Sequence, residues 1–251
     1  MTAEHEIPED HPRHDSLLTR HRIEAGVEAG ITSRQGLIAQ GRGEAFDYLL
    51  GERTIPSADR AERAAAAALL AGEQPVLSVN GNVAALVPDA IVELAEATGA
   101  DLEVNLFNRS DSRMEAIAAH LREHGAQEVK GLAADARIPG LSHERAKVDR
   151  DGIYSADVVL VPLEDGDRAE ALEEMGKTEI VIDLNPLSRS AQVAPIPIVD
   201  NIIRAIPGIK SHAEDLEPAG LEAWERILEE FDPAATLEAA EAQLRGNFDS
   251  E

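Results

Sequence analysis

From Pro75 onward, short β-rich apolar runs alternate with stretches of helical periodicity. Residues 75–79, 101–107, 157–162, 179–184 and 196–199 predict strands. Between the second and third, the box Ser112-Arg113-Met114-Glu115 opens a helix whose apolar positions Met114, Ile117, Ala118 and Leu121 recur at helical spacing until Gly125. Residues 88–99 predict another, with proline at the start and glycine at the end. Strands that alternate with helices mark a mostly parallel sheet covered by helices. Ahead of it, residues 14–30, 32–51 and 57–72 read as a helical lead; behind it, Leu221, Trp224, Ile227, Leu228 and Phe231 form an apolar stripe, followed by an acidic, alanine-rich segment to Gln243. The predicted fold is α/β, Rossmann-like, with a helical N-terminal lead and C-terminal helices. We expect one domain over 1–251, with the lead at 1–73, the sheet core at 74–210 and helices and tail at 211–251.

In such a sheet, ligands bind in the crevice outside the carboxyl ends of the strands. The predicted exits carry Asn80-Gly81-Asn82, Asn108-Arg109, the run Glu164-Asp165-Gly166-Asp167-Arg168, the run from Asp183 to Ser190, and Asp200-Asn201. Turns favour Asn, Asp and Gly on their own account, so each cluster alone reads equally as a turn; five at one edge point to a site. Asp165 and Asp167 are suited to Mg²⁺, a hard ion that takes carboxylates together with nucleotide oxygens. Arg189, between Ser188 and Ser190, offers a planar fork for phosphate or carboxylate. In the lead, Gly41 and Gly43 bracket Arg42, which suggests either a close backbone approach or a bend between helices. The loop around His143, Glu144 and Arg145 sets imidazole, carboxylate and guanidinium side by side.

Composition narrows the chemistry. The chain has no cysteine, which excludes disulfides, thiolate metal sites and thiol nucleophiles. Forty-eight acidic residues against 23 basic ones give a formal net charge of −25, which disfavours nucleic acid as a partner. The acidity, with only four lysines, fits a halophilic surface in molar salt, where the Debye length is about 3 Å. No apolar run approaches the ~20 residues of a membrane helix, and residues 1–11 lack a secretory signal pattern, so the expected location is cytoplasmic. G-x-G-x-x-G, P-loop, G-x-S-x-G and H-E-x-x-H motifs are all missing. The residues by themselves describe an anion-binding α/β enzyme whose reaction stays open.

Six words carry a resemblance: GLIAQGRGEAFDYLL from Gly36, SVNGNVAALV from Ser78, RIPGLSHERAKV from Arg137, VLVPLEDGDRAEA from Val159, IDLNPLSRSA from Ile182 and IVDNIIR from Ile198. Together they resemble the archaeal 4-phosphopantoate–β-alanine ligase (phosphopantothenate synthetase) family over about residues 7–213. The resemblance implies a homodimeric enzyme of coenzyme A biosynthesis. It condenses 4-phosphopantoate with β-alanine to 4′-phosphopantothenate, using ATP with Mg²⁺ and releasing AMP and pyrophosphate by way of an acyl adenylate. It also implies ATP contacts at Arg20, Arg42, Asp183, Leu184, Asn185, Arg189, Ser190, Asn201 and Ile202. Our own candidates for the other substrate groups are Asn80, Asn82, Arg109, Arg145 and Arg168, with Asp165 and Asp167 for the metal. Catalytic candidates are His143, Arg189 and Asp165; His143 or Glu144 would take the β-alanine proton. The stripe from Leu221 to Phe231 is either a dimer seam or a packing face within one subunit. Gln40 stands where the family's word carries histidine. The alternative function is a nucleotide-dependent phosphotransferase acting on a small anionic acid.

Overall fold

The computed structural model describes residues 8, 10–11, 13–163 and 166–246. Asp165, expected in the site, lies outside them. The lead comprises α1 (His14–Glu28), α2 (Arg34–Leu50) and α3 (Pro56–Ala71). Then come β1 (Pro75–Val79), α4 (Gly81–Leu86), α5 (Pro88–Thr98), β2 (Asp101–Val104) and α6 (Asp111–Glu123). A two-stranded antiparallel ribbon, β3 (Ala136–Arg137) and β4 (Lys147–Val148), precedes β5 (Val158–Pro162). The chain continues through α7 (Gly166–Glu174), β6 (Thr178–Asp183), α8 (Arg189–Val193), β7 (Ile196–Val199) and α9 (Ile202–Leu216) to α10 (Leu221–Glu230) and α11 (Pro233–Gly246).

The sheet runs β2-β1-β5-β6-β7 with every pair parallel, as the strand–helix alternation predicts. Because β2 lies on one side of β1 and β5 returns on the other, strand order reverses between β1 and β5, where doubly wound sheets open a crevice. The strands are buried on both faces. On one face Leu77, Val79, Leu160, Ile180 and Ile198 pack with Ala64, Ala65, Ala66, Ala67 and Ala68 of α3 and with Ile206 and Ile209 of α9. The alanine run is a packing device: small side chains let α3 settle closely against its neighbours. On the other face Val76, Val159 and Val161 meet Val148 and Leu172.

Several boundaries differ from the sequence reading. The cap of α6 is Ser110, whose hydroxyl accepts from the Arg113 amide at 3.4 Å; the box at Ser112 lies inside the first turn. Strand β2 stops at Val104 rather than at residue 107. Beyond it the Asn105 amide of the side chain turns to the carbonyls of Arg145 (3.2 Å) and Lys147 (3.1 Å), so the chain leaves the sheet to meet the ribbon. The stripe on α10 is used within the chain: Trp224, Ile227, Leu228 and Phe231 pack on the main core, and the Trp224 indole donates to the Leu216 carbonyl at 2.8 Å.

Candidate active site

Helix α2 lies across the carboxyl edge of the sheet, and its glycines make that possible. It runs unbroken through Gly36, Gly41 and Gly43, so the cluster is not a bend. The Gly36 carbonyl accepts from the Asn82 side chain at 3.0 Å, and a Cβ at position 43 would stand 2.9 Å from Asn201 Nδ2. Of the two glycines that bracket Arg42, Gly43 makes the close approach, to Asn201, whereas a Cβ at Gly41 would meet nothing within 4 Å; Gly36 adds a second approach, to Asn82. The helix is fixed by Asp47, 6% exposed, which accepts from Arg204 (2.6 Å) and from Asn201 Nδ2 (3.2 Å). Arg204 also holds Asp200 at 2.6 Å, tying α2 to the start of α9.

Under α2 two polar pockets adjoin. The larger, about 620 Å³, is lined by Arg42, Gly166, Asp167, Asp183, Asn185, Ser188, Arg189 and Ser190. Asp183 organises its floor: one carboxylate oxygen accepts from Ser188 Oγ (2.6 Å) and Ser190 Oγ (3.1 Å), the other from the Asn185 amide (3.2 Å). Arg189 lies on Gly166 and pairs with Glu170 at 3.0 Å, remaining 58% exposed. The smaller pocket, about 200 Å³, is lined by Thr32, Gln35, Asn82, Asn108, Arg113, Arg145, Leu163 and again Arg42. Arg42 therefore stands between the two, exposed, and makes no hydrogen bond or ion pair among the described residues. A slot of about 20 Å³ beside them takes Gln40, Leu184, Asn201 and Ile202. A mostly apolar cavity of about 480 Å³ near Arg22, His120 and Pro207 contains none of the strand-exit residues.

At the switch point, Asn80 is a structural joint. Its side-chain oxygen caps α4 through the amides of Asn82 (2.9 Å) and Val83 (3.1 Å), and its Nδ2 donates to the Pro162 carbonyl at the end of β5 (3.0 Å). Asn82 is likewise engaged, accepting from Thr32 Oγ1 at 2.6 Å. Leu163 takes φ +56°, a left-handed conformation unusual for leucine that turns the chain out of the sheet between the pockets.

His143 joins the two sides: its Nε2 lies 3.2 Å from Asp167 Oδ2, and its ring centroid is 5.8 Å from that of Phe107, which lines the smaller pocket. The neighbouring Glu144 is bound to Lys147 at 2.8 Å, which holds its carboxyl below the usual range and makes it a poor proton acceptor. Other expected residues lie elsewhere. Arg20 pairs with Glu44, which also receives Arg13 and Tyr48, and the Glu44 carboxyl is held low chiefly by the Arg20 bond. Arg109 donates to the Gly131 carbonyl at 2.7 Å and lines neither pocket. Arg168 is 0% exposed, inside the fold. Sequence reasoning missed Arg113, which donates to the carbonyls of Asn108 (2.7 Å) and Ile31 (3.3 Å) within the smaller pocket. Its place in the first turn after the β2 exit was the available signal.

The donor set fits a magnesium nucleotide. Arg42 and Arg189 supply positive charge, Asp167 supplies a hard oxygen, and the larger pocket has room for an extended anion.

Fold and site thus define a doubly wound α/β protein whose strand exits form paired polar pockets that share Arg42. The phosphopantothenate/pantothenate synthetase family model matches residues 57–247. Over 240 residues the chain is 55% identical to a 4-phosphopantoate–β-alanine ligase of Methanosarcina mazei, covering 96% of this chain and 94% of the relative. It is 57% identical over 232 residues to the ligase of that name from Thermococcus onnurineus, covering 92% and 89%. The chain belongs to the phosphopantothenate/pantothenate synthetase family and is an enzyme of the ligase class.

Proposed function

We propose that this enzyme joins 4-phosphopantoate to β-alanine, with ATP and Mg²⁺, to give 4′-phosphopantothenate, AMP and pyrophosphate. The observation that carries this reading is Arg42, a guanidinium that lines both pockets and has no partner among the described residues. The larger pocket takes ATP, with Arg42, Asp183, Asn185, Arg189 and Ser190 around it, and Leu184, Asn201 and Ile202 stand beside it. The smaller pocket, with Arg113, Arg145 and Asn82, takes the phosphorylated acid. Arg20, which the resemblance also assigns to the nucleotide, pairs with Glu44 on α2. Asp167 holds Mg²⁺, which offsets phosphate charge.

A carboxylate is a poor electrophile, and ATP corrects this. The pantoate carboxylate oxygen attacks the α-phosphorus, the bond to pyrophosphate breaks, and a mixed anhydride with AMP forms. Arg42, at the junction, bridges the two anions and offsets the repulsion between them. The β-alanine nitrogen, once deprotonated, then attacks the acyl carbon and AMP leaves. His143, oriented by Asp167, accepts that proton. Each charged hydrogen bond of this kind contributes about 1.5–3 kcal/mol.

We place the enzyme in the cytoplasm, as a salt-adapted homodimer in which lead, sheet and C-terminal helices act as one domain. Among the described residues no helix is long and apolar enough to cross a membrane. The shared core of α3, the sheet and α9 supports the single domain, and the exposed Leu37, Ile38 and Tyr48 on α2 support an interface there. The adenylate is tested by isotope exchange: labelled pyrophosphate should enter ATP when 4-phosphopantoate is present and β-alanine is withheld. Exchange that needs β-alanine, or none at all, refutes it.

A further inference from the structure

Helices α3 and α9 cross beside the sheet, and three potential metal ligands meet at the crossing. Asp59 and Glu62 lie one turn apart on α3, and His212 comes from α9; one ligand atom from each lies within 4.8 Å of the others. His212 Nε2 is 3.0 Å from Asp59 Oδ1, with side chains 24% and 61% exposed. Glu62 is different in kind. It is 2% exposed, and its Oε1 is buried with no hydrogen-bond partner among the described residues. Its carboxylate rests on Gly208, one turn before His212, where any Cβ would collide with it. A missing side chain on α9 is therefore what lets the carboxylate reach the cluster. The neighbouring guanidinium of Arg204 does not neutralise it, because Arg204 is shared between Asp47 and Asp200 at 2.6 Å each. A carboxylate removed from water is strongly unfavourable unless it is protonated or matched by a cation.

The geometry points to a site for a first-row divalent cation, zinc in the first place, held by Glu62, Asp59 and His212. One imidazole nitrogen with two carboxylate oxygens suits Zn²⁺; magnesium, which favours oxygen alone and keeps its own waters, suits it less. The exposed side of Asp59 leaves room for water to complete the shell. A cation here clamps α3 to α9. Since α9 begins with Ile202 behind its cap Asn201, the clamp braces the helix whose start lines the small slot beside the polar pockets. The inference concerns a site apart from the ligation chemistry and stands whether or not that reading holds.

The test uses the full chain in concentrated KCl, stripped with a chelator, dialysed and titrated with zinc chloride by calorimetry and thermal melting. About one Zn²⁺ per chain should bind and raise the melting temperature. Glu62→Gln, His212→Ala and Asp59→Asn should each weaken binding at least about tenfold. The double variant Glu229→Gln/Glu230→Gln, at exposed positions on α10, should keep the wild-type affinity. Circular dichroism identifies any variant that fails to fold, and Asp59→Asn, at an exposed position, gives an arm independent of the buried carboxylate. No saturable binding by the wild type, or equal binding by the three ligand variants, overturns the proposal; Glu62 then holds a proton rather than a metal.

Discussion

Asn80 Nδ2 donates to the Pro162 carbonyl at 3.0 Å and so joins the ends of β1 and β5 at the point where strand order reverses. The same side chain caps α4. One asparagine therefore sets the spacing of the crevice and starts the helix behind it. Asn80→Ala should lower stability by about 1–3 kcal/mol, the sum of a lost cap and a lost hydrogen bond. Asn80→Asp keeps the capping oxygen and loses the donor, so chemical denaturation should place it between alanine and wild type.

Arg42 has no hydrogen-bond or ion-pair partner among the described residues, so its removal should leave stability unchanged. Arg42→Ala should instead reduce kcat/KM for ATP by about 2–3 kcal/mol in transition-state terms. Steady-state kinetics alongside a melting curve checks this. A drop in melting temperature with unaltered kinetics assigns Arg42 to the scaffold.

Gly43→Ala separates helix propensity from site geometry. Alanine in a helix interior gains about 0.5–1 kcal/mol over glycine, yet a Cβ there stands 2.9 Å from Asn201 Nδ2. The variant should lose activity through displacement of Asn201 while keeping its helical content. Full activity would show that α2 need not approach the exit of β7 so closely.

These three residues show what the sequence could and could not reveal. Strand exits follow from alternation alone, and with the ligand rule they gather Asp167, Asp183, Asn185, Arg189 and Ser190 onto one edge. Gly41 and Gly43 signalled a close approach without naming its object, because Asn201, which only Gly43 meets, lies far away in the chain. The ribbon of β3 and β4 left no periodic trace, since two residues per strand are too few to show alternation. Asn80 read as a ligand because its amide has the right chemistry; it does line the smaller pocket, and the fold adds that its side chain also caps α4 and holds the end of β5. The pairing of Arg20 with Glu44 is equally tertiary, and composition gave no sign of it.

Glu103, on β2, gives a pH dependence of stability. It is 0% exposed and accepts from the amides of Ile153 (2.6 Å) and Asp149 (3.0 Å). Burial is the largest influence and pushes its carboxyl up to about 7. The Asp149 charge acts in the same direction, while the two amides and Arg168 act against it; the stem of Lys130 packs nearby against Gly152. The folded state then holds this proton more tightly than the unfolded chain. Its stabilising contribution is complete below about 4.5 and declines as pH rises through about 7. Glu103→Gln loses an acceptor and should be less stable throughout, but with a flatter melting temperature between pH 5 and 7. An identical slope in variant and wild type would show that Glu103 does not titrate there.

The most direct measurement of the central claim is to incubate the protein with ATP, Mg²⁺, 4-phosphopantoate and β-alanine in concentrated KCl and identify the nucleotide released. The paired pockets joined by Arg42 predict AMP and pyrophosphate in amounts equal to 4′-phosphopantothenate. Release of ADP and phosphate, with a phosphorylated acid as the product, would contradict the account and assign the site to phosphoryl transfer.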